Sequence, residues 1–221
     1  MSISKNTLSF LSKLKQHNNK VWFDENRSSY VEAKTDIISF VDALLPQLRK
    51  FDKQIEPELS ADKCVFRIFR DVRFSANKTP YKSNMGAAIN PGGKKAAVPG
   101  YYVHIEPGNS FVAGGSYLPQ AVDLAKYRQE IDYNFDEFNA IIRNNTFKKF
   151  FGILDQEHKL ARPPKGYTAD NPAMDYLKLK SFIAFRNFTD KEVLAPNFDK
   201  QVIATCNAMF PLMQFLRRSL D

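Results

Sequence analysis

The apolar residues of this chain change their spacing along its length, and the order of those changes constrains the fold more than any other feature. Leu8, Phe10, Leu11 and Leu14 recur at helical intervals, as do Tyr30, Ile37, Val41, Leu44, Leu48 and Phe51. From Cys64 the pattern becomes alternation. Cys64, Phe66, Ile68, Val72 and Phe74 interleave with Val65, Arg67, Phe69, Asp71 and Arg73, which predicts a strand over 64–74. Further strands are predicted over 84–90, 101–106 and 110–117, the last two flanking a Pro107-Gly108-Asn109 turn. Helical spacing then returns in Ala121, Leu124, Arg128 and Ile131, in Phe138, Ile141 and Ile142, and in the short piece holding Phe147, Phe150 and Phe151. One late strand is predicted over 179–188, before a last helical stripe of Phe198, Val202, Cys206, Met209, Met213 and Leu216. Strands that cluster, instead of alternating with helices, predict an α+β fold. The expectation is a single domain over 1–221, with a mainly antiparallel sheet (central strands plus one late strand) packed by N-terminal and C-terminal helices.

Local signals refine the boundaries. Ser4 or Thr7 is placed to cap the first helix, Ser29 with Glu32 and Thr189 with Glu192 read as capping boxes, and Asn134 with Glu137 marks another helix start. Pro46 lies inside its stripe and predicts a kink or break. Pro119 suits a first helical turn. Gly114-Gly115 predicts a bulge or a close backbone approach, and 162–171 reads as a loop.

Several function classes lose their basis in the sequence. No apolar run reaches the roughly 18 residues of a membrane-spanning helix, and the polar N-terminus has no signal-peptide core. The expectation is a cytoplasmic protein without a membrane partner. Cys64 and Cys206 sit in apolar contexts, as buried thiols or as a single disulfide. His17, His104 and His158 are far apart, and no Cys or His has zinc-ligand spacing, so no metal site is expected. Phosphate-loop, dinucleotide-binding and serine-hydrolase motifs are absent from the sequence. No cofactor can be named.

The charge points to anionic partners. The chain carries a net charge of +8, and residues 60–100 hold eight cations against only Asp62 and Asp71. Within this stretch Arg67, Arg70, Arg73, Lys78 and Lys82 interleave with Phe69, Phe74 and Tyr81. If the first half is extended, Arg67, Asp71 and Arg73 share a face, and Asp71 can pair with either arginine. Arg70 then falls on the apolar face beside Ile68 and Val72, where it needs a partner. Arg128 and Arg186 break the apolar patterns of their own elements in the same way. Each arginine is either an internal ion pair or a ligand for a phosphate or carboxylate. His104 and Glu106, with Tyr102, fall on one face of a strand as a candidate acid–base pair, or as an ordinary polar sheet face.

The motifs R-I-F-R-D-V-R-F-S-A-N-K-T-P-Y-K, P-G-Y-Y-V-H-I-E-P-G and F-V-A-G-G-S-Y-L-P stand at residues 67–82, 99–108 and 111–119. With N-N-K-V-W-F, R-P-P-K-G-Y and Y-L-K-L-K-S-F, they make a chain that resembles the family Domain of Unknown Function 2461 over nearly its whole length. The family pattern has an acidic residue just before the lysine of the basic stretch, where this chain has Asn77. The resemblance implies a single-domain protein of unassigned activity. It makes Arg67, Arg70, Asp71, Arg73, Phe74, Lys78, Pro80, Tyr81 and Lys82 the family's signature stretch without giving that stretch a role.

Three functions follow as expectations. The first is binding of, or chemistry on, a small anionic ligand, phosphorylated or not, through an arginine-rich pocket. Its candidate residues are Arg67, Arg70, Asp71, Arg73, Lys78, Tyr81, Lys82, His104, Glu106, Arg128 and Arg186. The second is nucleic-acid binding, for which no recognised motif is present. The third is a protein-interaction or structural module. The sequence does not fix the oligomeric state.

Overall fold

Helix α1 (Lys5–Gln16) begins where Ser4 Oγ accepts the N–H of Thr7 at 3.1 Å, satisfying one donor that a first turn leaves without a partner. The computed structural model describes residues 1–220. Asn19 caps α2 (Lys20–Glu25) in the same manner. Helix α3 (Arg27–Leu48) follows, then the single turn α4 (Ala61–Cys64) and strands β1 (Met85–Ile89), β2 (Gly100–Ile105) and β3 (Ser110–Ser116). Helices α5 (Ala121–Tyr133), α6 (Phe135–Arg143), α7 (Asn145–Phe151) and α8 (Met174–Leu177) precede strand β4 (Phe182–Phe188), the short α9 (Asp190–Val193) and α10 (Phe198–Arg218). The fold is α+β, with one antiparallel sheet in the order β1-β2-β3-β4 and helices on both sides of it in the sequence. Among the described residues no helix is long and apolar enough to cross a membrane.

Two compact units can be distinguished. The first comprises 1–96, 102–112 and 187–204. Its core is the stripe of α1 (Leu8, Phe10, Leu11, Leu14) against that of α3 (Ile37, Phe40, Val41, Leu44, Leu48), with Phe198 stacked on Phe40. Asp36 of α3 accepts from the Ser4 backbone N–H at 2.8 Å and from the Thr7 hydroxyl at 2.6 Å, which ties the start of α1 to α3. Phe23 stacks on Tyr81 with centroids 4.0 Å apart and so anchors the basic stretch to α2. The Thr189–Glu192 capping box forms at the start of α9.

The second unit comprises 97–101, 113–186 and 205–221. Tyr127, Ile131, Phe138, Phe147, Leu177, Phe182, Leu212 and Phe215 are buried in it. Arg218 bridges Glu130 and Glu137 at 2.6 and 2.8 Å, joining α10 to α5 and α6. At Gly115, with φ of +133°, a Cβ would stand 1.9 Å from the Phe182 carbonyl oxygen, so the strands β3 and β4 approach as the Gly114-Gly115 pair predicts.

Four sequence expectations need correction. The strand over 64–74 is not a strand. Cys64 ends α4, and the rest is an irregular hairpin arm held by two isolated bridges, Val65 to Ala87 and Phe69 to Tyr81. Pro80 on the opposite arm has no N–H, so a regular ladder has no donor there. Ser29 and Glu32 form no capping box, because α3 starts earlier and Ser29 lies within its first turn. The helix runs through Pro46 to Leu48; the carbonyl that Pro46 leaves without a donor belongs to Asp42, which is exposed. Pro119 lies ahead of the Gln120 N-cap, outside the first turn of α5. Cys64 and Cys206 are both buried and are not joined by a disulfide.

Candidate functional site

Strand β2 alternates as the sequence requires. Tyr101, Val103 and Ile105 point into the core, and Tyr102, His104 and Glu106 lie together on the other side. The three polar groups form a chain. The Tyr102 hydroxyl is 3.1 Å from His104 Nδ1, and His104 Nε2 is 3.3 Å from Glu106 Oε2. The His104 ring stacks on Phe111 of β3, with centroids 4.5 Å apart and an interplanar angle of 12°. Asn84 brings its side-chain amide to 2.9 Å from Nδ1. The tautomer that suits these partners has Nε2–H donating to Glu106 and Nδ1 accepting from Tyr102 or Asn84.

Burial sets the protonation of the chain. It holds the His104 pKa below 6.5, against the opposing pull of the Glu106 carboxylate. Burial, helped by the Glu106 charge, pushes the Tyr102 phenol up to about 12. Burial alone would raise Glu106, but hydrogen bonds from Asn109, His104, Lys15 and Ser83 outweigh it and keep the carboxylate ionised below its usual range. Ser83 and Lys15 donate to Glu106 Oε1 at 3.1 and 3.2 Å, and Asn109 donates to Oε2 at 3.2 Å. Near neutral pH the arrangement is a phenol, a neutral imidazole and an anchored carboxylate, which can pass a proton along its length.

Cations stand beside this chain. The Phe66 ring meets Tyr102 edge-on, with centroids 6.2 Å apart, and the Lys82 ammonium lies 5.3 Å from the Phe66 centroid. Lys82 is half-buried, and burial followed by the charge of Arg67 lowers its pKa. Among the described residues neither Lys82 nor Arg67 forms a salt bridge. Asp71, the carboxylate in electrostatic range of Arg67, is held by Arg73 through Nε at 3.0 Å and a second nitrogen at 2.7 Å.

The other candidates have protein partners. Arg70 is half-buried and donates to the Thr79 carbonyl at 3.1 Å, to the Thr79 hydroxyl, and to Ser75 Oγ at 3.3 Å. Lys78 donates to the Val72 carbonyl at 3.0 Å. Tyr81 is buried in the stack with Phe23. In the second unit Arg128 donates to the carbonyls of Leu177 at 2.7 Å and Leu179 at 3.2 Å, and burial lowers its pKa. Arg186 lies 3.4 Å from the Thr205 hydroxyl and 5.4 Å from the Phe150 centroid. Arg70, Arg128 and Arg186 share no partner in these contacts. The structure gathers His104, Glu106, Lys82 and Arg67 around Phe66 and Tyr102.

Sequence reasoning missed Lys15, Ser83, Asn84, Asn109 and Phe66 as members of this cluster. Phe66 and Asn84 lie within the predicted strands 64–74 and 84–90, but nothing in the alternation pointed to their contacts with Tyr102 and His104. Lys15, 91 residues from Glu106, had none. A groove of about 260 Å³ opens elsewhere in the first unit, beside Asn6, Lys13, Trp22 and Glu32, and no candidate site residue lines it. Among the described residues no three His, Cys, Asp or Glu side chains gather in a way that would hold a metal ion.

A family model described as a conserved hypothetical protein, Domain of Unknown Function 2461, matches residues 6–215. No curated protein and no solved structure matches the chain.

Proposed function

Because the chain belongs to the Domain of Unknown Function 2461 family, whose description assigns no activity, we propose its function from its residues: it binds a small anionic, phosphorylated ligand at Arg67 and Lys82, beside the Tyr102–His104–Glu106 chain. One observation carries this reading. Among the described residues neither Lys82, which is half-buried, nor its neighbour Arg67 forms a salt bridge, and the Arg67 charge adds to burial in lowering the Lys82 pKa. A bound phosphoryl group would relieve that repulsion, and a guanidinium suits its oxygens. Tyr102 stays protonated to about pH 12, so its hydroxyl is a donor at any physiological pH. When it turns from His104 to the ligand, the Asn84 amide takes its place at Nδ1. Two buried cysteines without a disulfide support a reducing compartment, and we assign the protein to the cytoplasm.

The test is isothermal titration of the intact protein with inorganic phosphate, phosphorylated metabolites and carboxylates. A salt-tolerant signal with one anion class, lost in both Arg67→Ala and Lys82→Met, is the expected result. Absence of any signal in the wild type, or binding equal in the two variants and the wild type, would overturn the reading.

A further inference from the structure

The tip of the basic stretch, residues 71–79, has a feature that the Arg67–Lys82 anion site does not use. Phe74 is 96% exposed, the most exposed of the large apolar side chains outside the core. It does not stand on a slack loop. Arg70 ties the tip to Thr79 and Ser75, Lys78 Nζ reaches back to the Val72 carbonyl at 3.0 Å, and the Thr79 N–H donates to Asn77 Oδ1 at 2.9 Å. These bonds satisfy the turn and leave the phenyl ring outside it. The Arg73 guanidinium lies 5.8 Å from the ring centroid and is itself held by Asp71. The ring is therefore an apolar plate carried outward by a tied turn, with a cation at its side.

The chemistry around the plate selects its partner. From Arg67 to Lys82 the chain carries five cations and one carboxylate, Asp71, already paired with Arg73. Phe69 and Phe66, 44% and 36% exposed, interleave with those cations along the same stretch. The tip also carries the polar residues Ser75, Asn77 and Thr79 between its cations, so it lacks the contiguous apolar cap that insertion into a bilayer uses. Rings alternating with cations match a single strand, whose bases have exposed π-faces and whose phosphates recur between them. We propose that the 71–79 tip is a contact surface for single-stranded nucleic acid, with Phe74 stacking on a base while Arg73 and Lys78 meet the flanking phosphates. Duplex is not the partner, since its bases already stack on one another.

Fluorescence anisotropy with a labelled oligothymidylate of about 15 nucleotides tests this on the intact protein, at several salt concentrations. The wild type should bind and weaken steeply with salt. Phe74→Ala should weaken binding by about tenfold at each salt concentration without changing the salt slope, and Phe74→Trp should restore it. Lys78→Ala should instead reduce the slope by about one. Phe74 is solvent-exposed, so these variants leave the core intact, and Arg67→Ala with Lys82→Met separates a failure here from a failure of the small-anion reading. Oligonucleotide binding equal in Phe74→Ala and wild type, no binding at low salt, or a Phe74-dependent affinity for anionic vesicles with none for the oligonucleotide would each overturn the proposal.

Discussion

His104 Nε2 stands 3.3 Å from Glu106 Oε2, yet burial keeps the imidazole neutral and the contact is a hydrogen bond to a carboxylate, not an ion pair. A folded-state pKa below the unfolded value of 6.5 means that the unfolded chain binds the proton first as pH falls. The resulting stabilisation is complete above 6.5 and is lost as pH drops through the folded value. Glu106 acts in the same direction lower down: its stabilisation is present above 4.5 and is lost as pH falls through its depressed folded value. Urea unfolding from neutral to acidic pH should therefore show two stages of loss. His104→Gln should remove the upper stage and leave the lower one; an unchanged upper stage would contradict the neutral imidazole.

Gly86 makes room for Tyr102. A Cβ at position 86 would stand 2.3 Å from the Tyr102 hydroxyl oxygen and 2.9 Å from two ring carbons. Gly86→Ala must push the phenol away from His104, at a cost of about 1–3 kcal/mol for an overpacked site. The same substitution in a Tyr102→Ala background should be nearly neutral. A double-mutant cycle by chemical denaturation measures the coupling, and additivity of the two changes would show that the ring does not need the space.

Arg128 holds two backbone carbonyls in place. Removing it leaves the oxygens of Leu177 and Leu179 without their donor in a half-buried site. Arg128→Met should destabilise the protein by about 1–3 kcal/mol, a fall of several degrees in Tm. Lysine at this position offers one donor group in place of a planar fork and should recover only part of the loss. If Arg128→Met melts with the wild type, water replaces the guanidinium at both carbonyls.

The parts of this fold legible in the sequence are those in which period and turn chemistry agree. Strands β2 and β3 lie within a residue or two of the predicted spans because alternation and the Pro107-Gly108-Asn109 turn specify the same hairpin. The segment 64–74 alternates as well, but the partner arm contains Pro80, and a ladder depends on both arms. The polar face of Tyr102, His104 and Glu106 was readable from period two alone. That Lys15, Ser83 and Asn84 complete it was not, since contacts across tens of residues leave no local trace. The pattern-breaking Arg70 and Arg128 identified cations in need of partners. The pattern could not reveal that those partners are backbone carbonyls and, for Arg70, the hydroxyls of Thr79 and Ser75, because every residue carries a carbonyl.

Arg70 gives the sharpest test of that last distinction. Its guanidinium spans the basic tip, reaching Thr79 and Ser75 from the opposite arm. Lysine at position 70 keeps the charge and loses the fork, so a ligand-facing role and a loop-tying role part company. If Arg70 ties the loop, Arg70→Lys should expose residues 71–79 to trypsin, with cleavage after Arg73 or Lys78 several times faster than in the wild type. The global Tm should change little, because the tip lies outside the buried core. Phosphate affinity at Arg67 and Lys82 should be retained. Unchanged proteolysis with a lost phosphate signal would reverse the assignment and place Arg70 in the anion site.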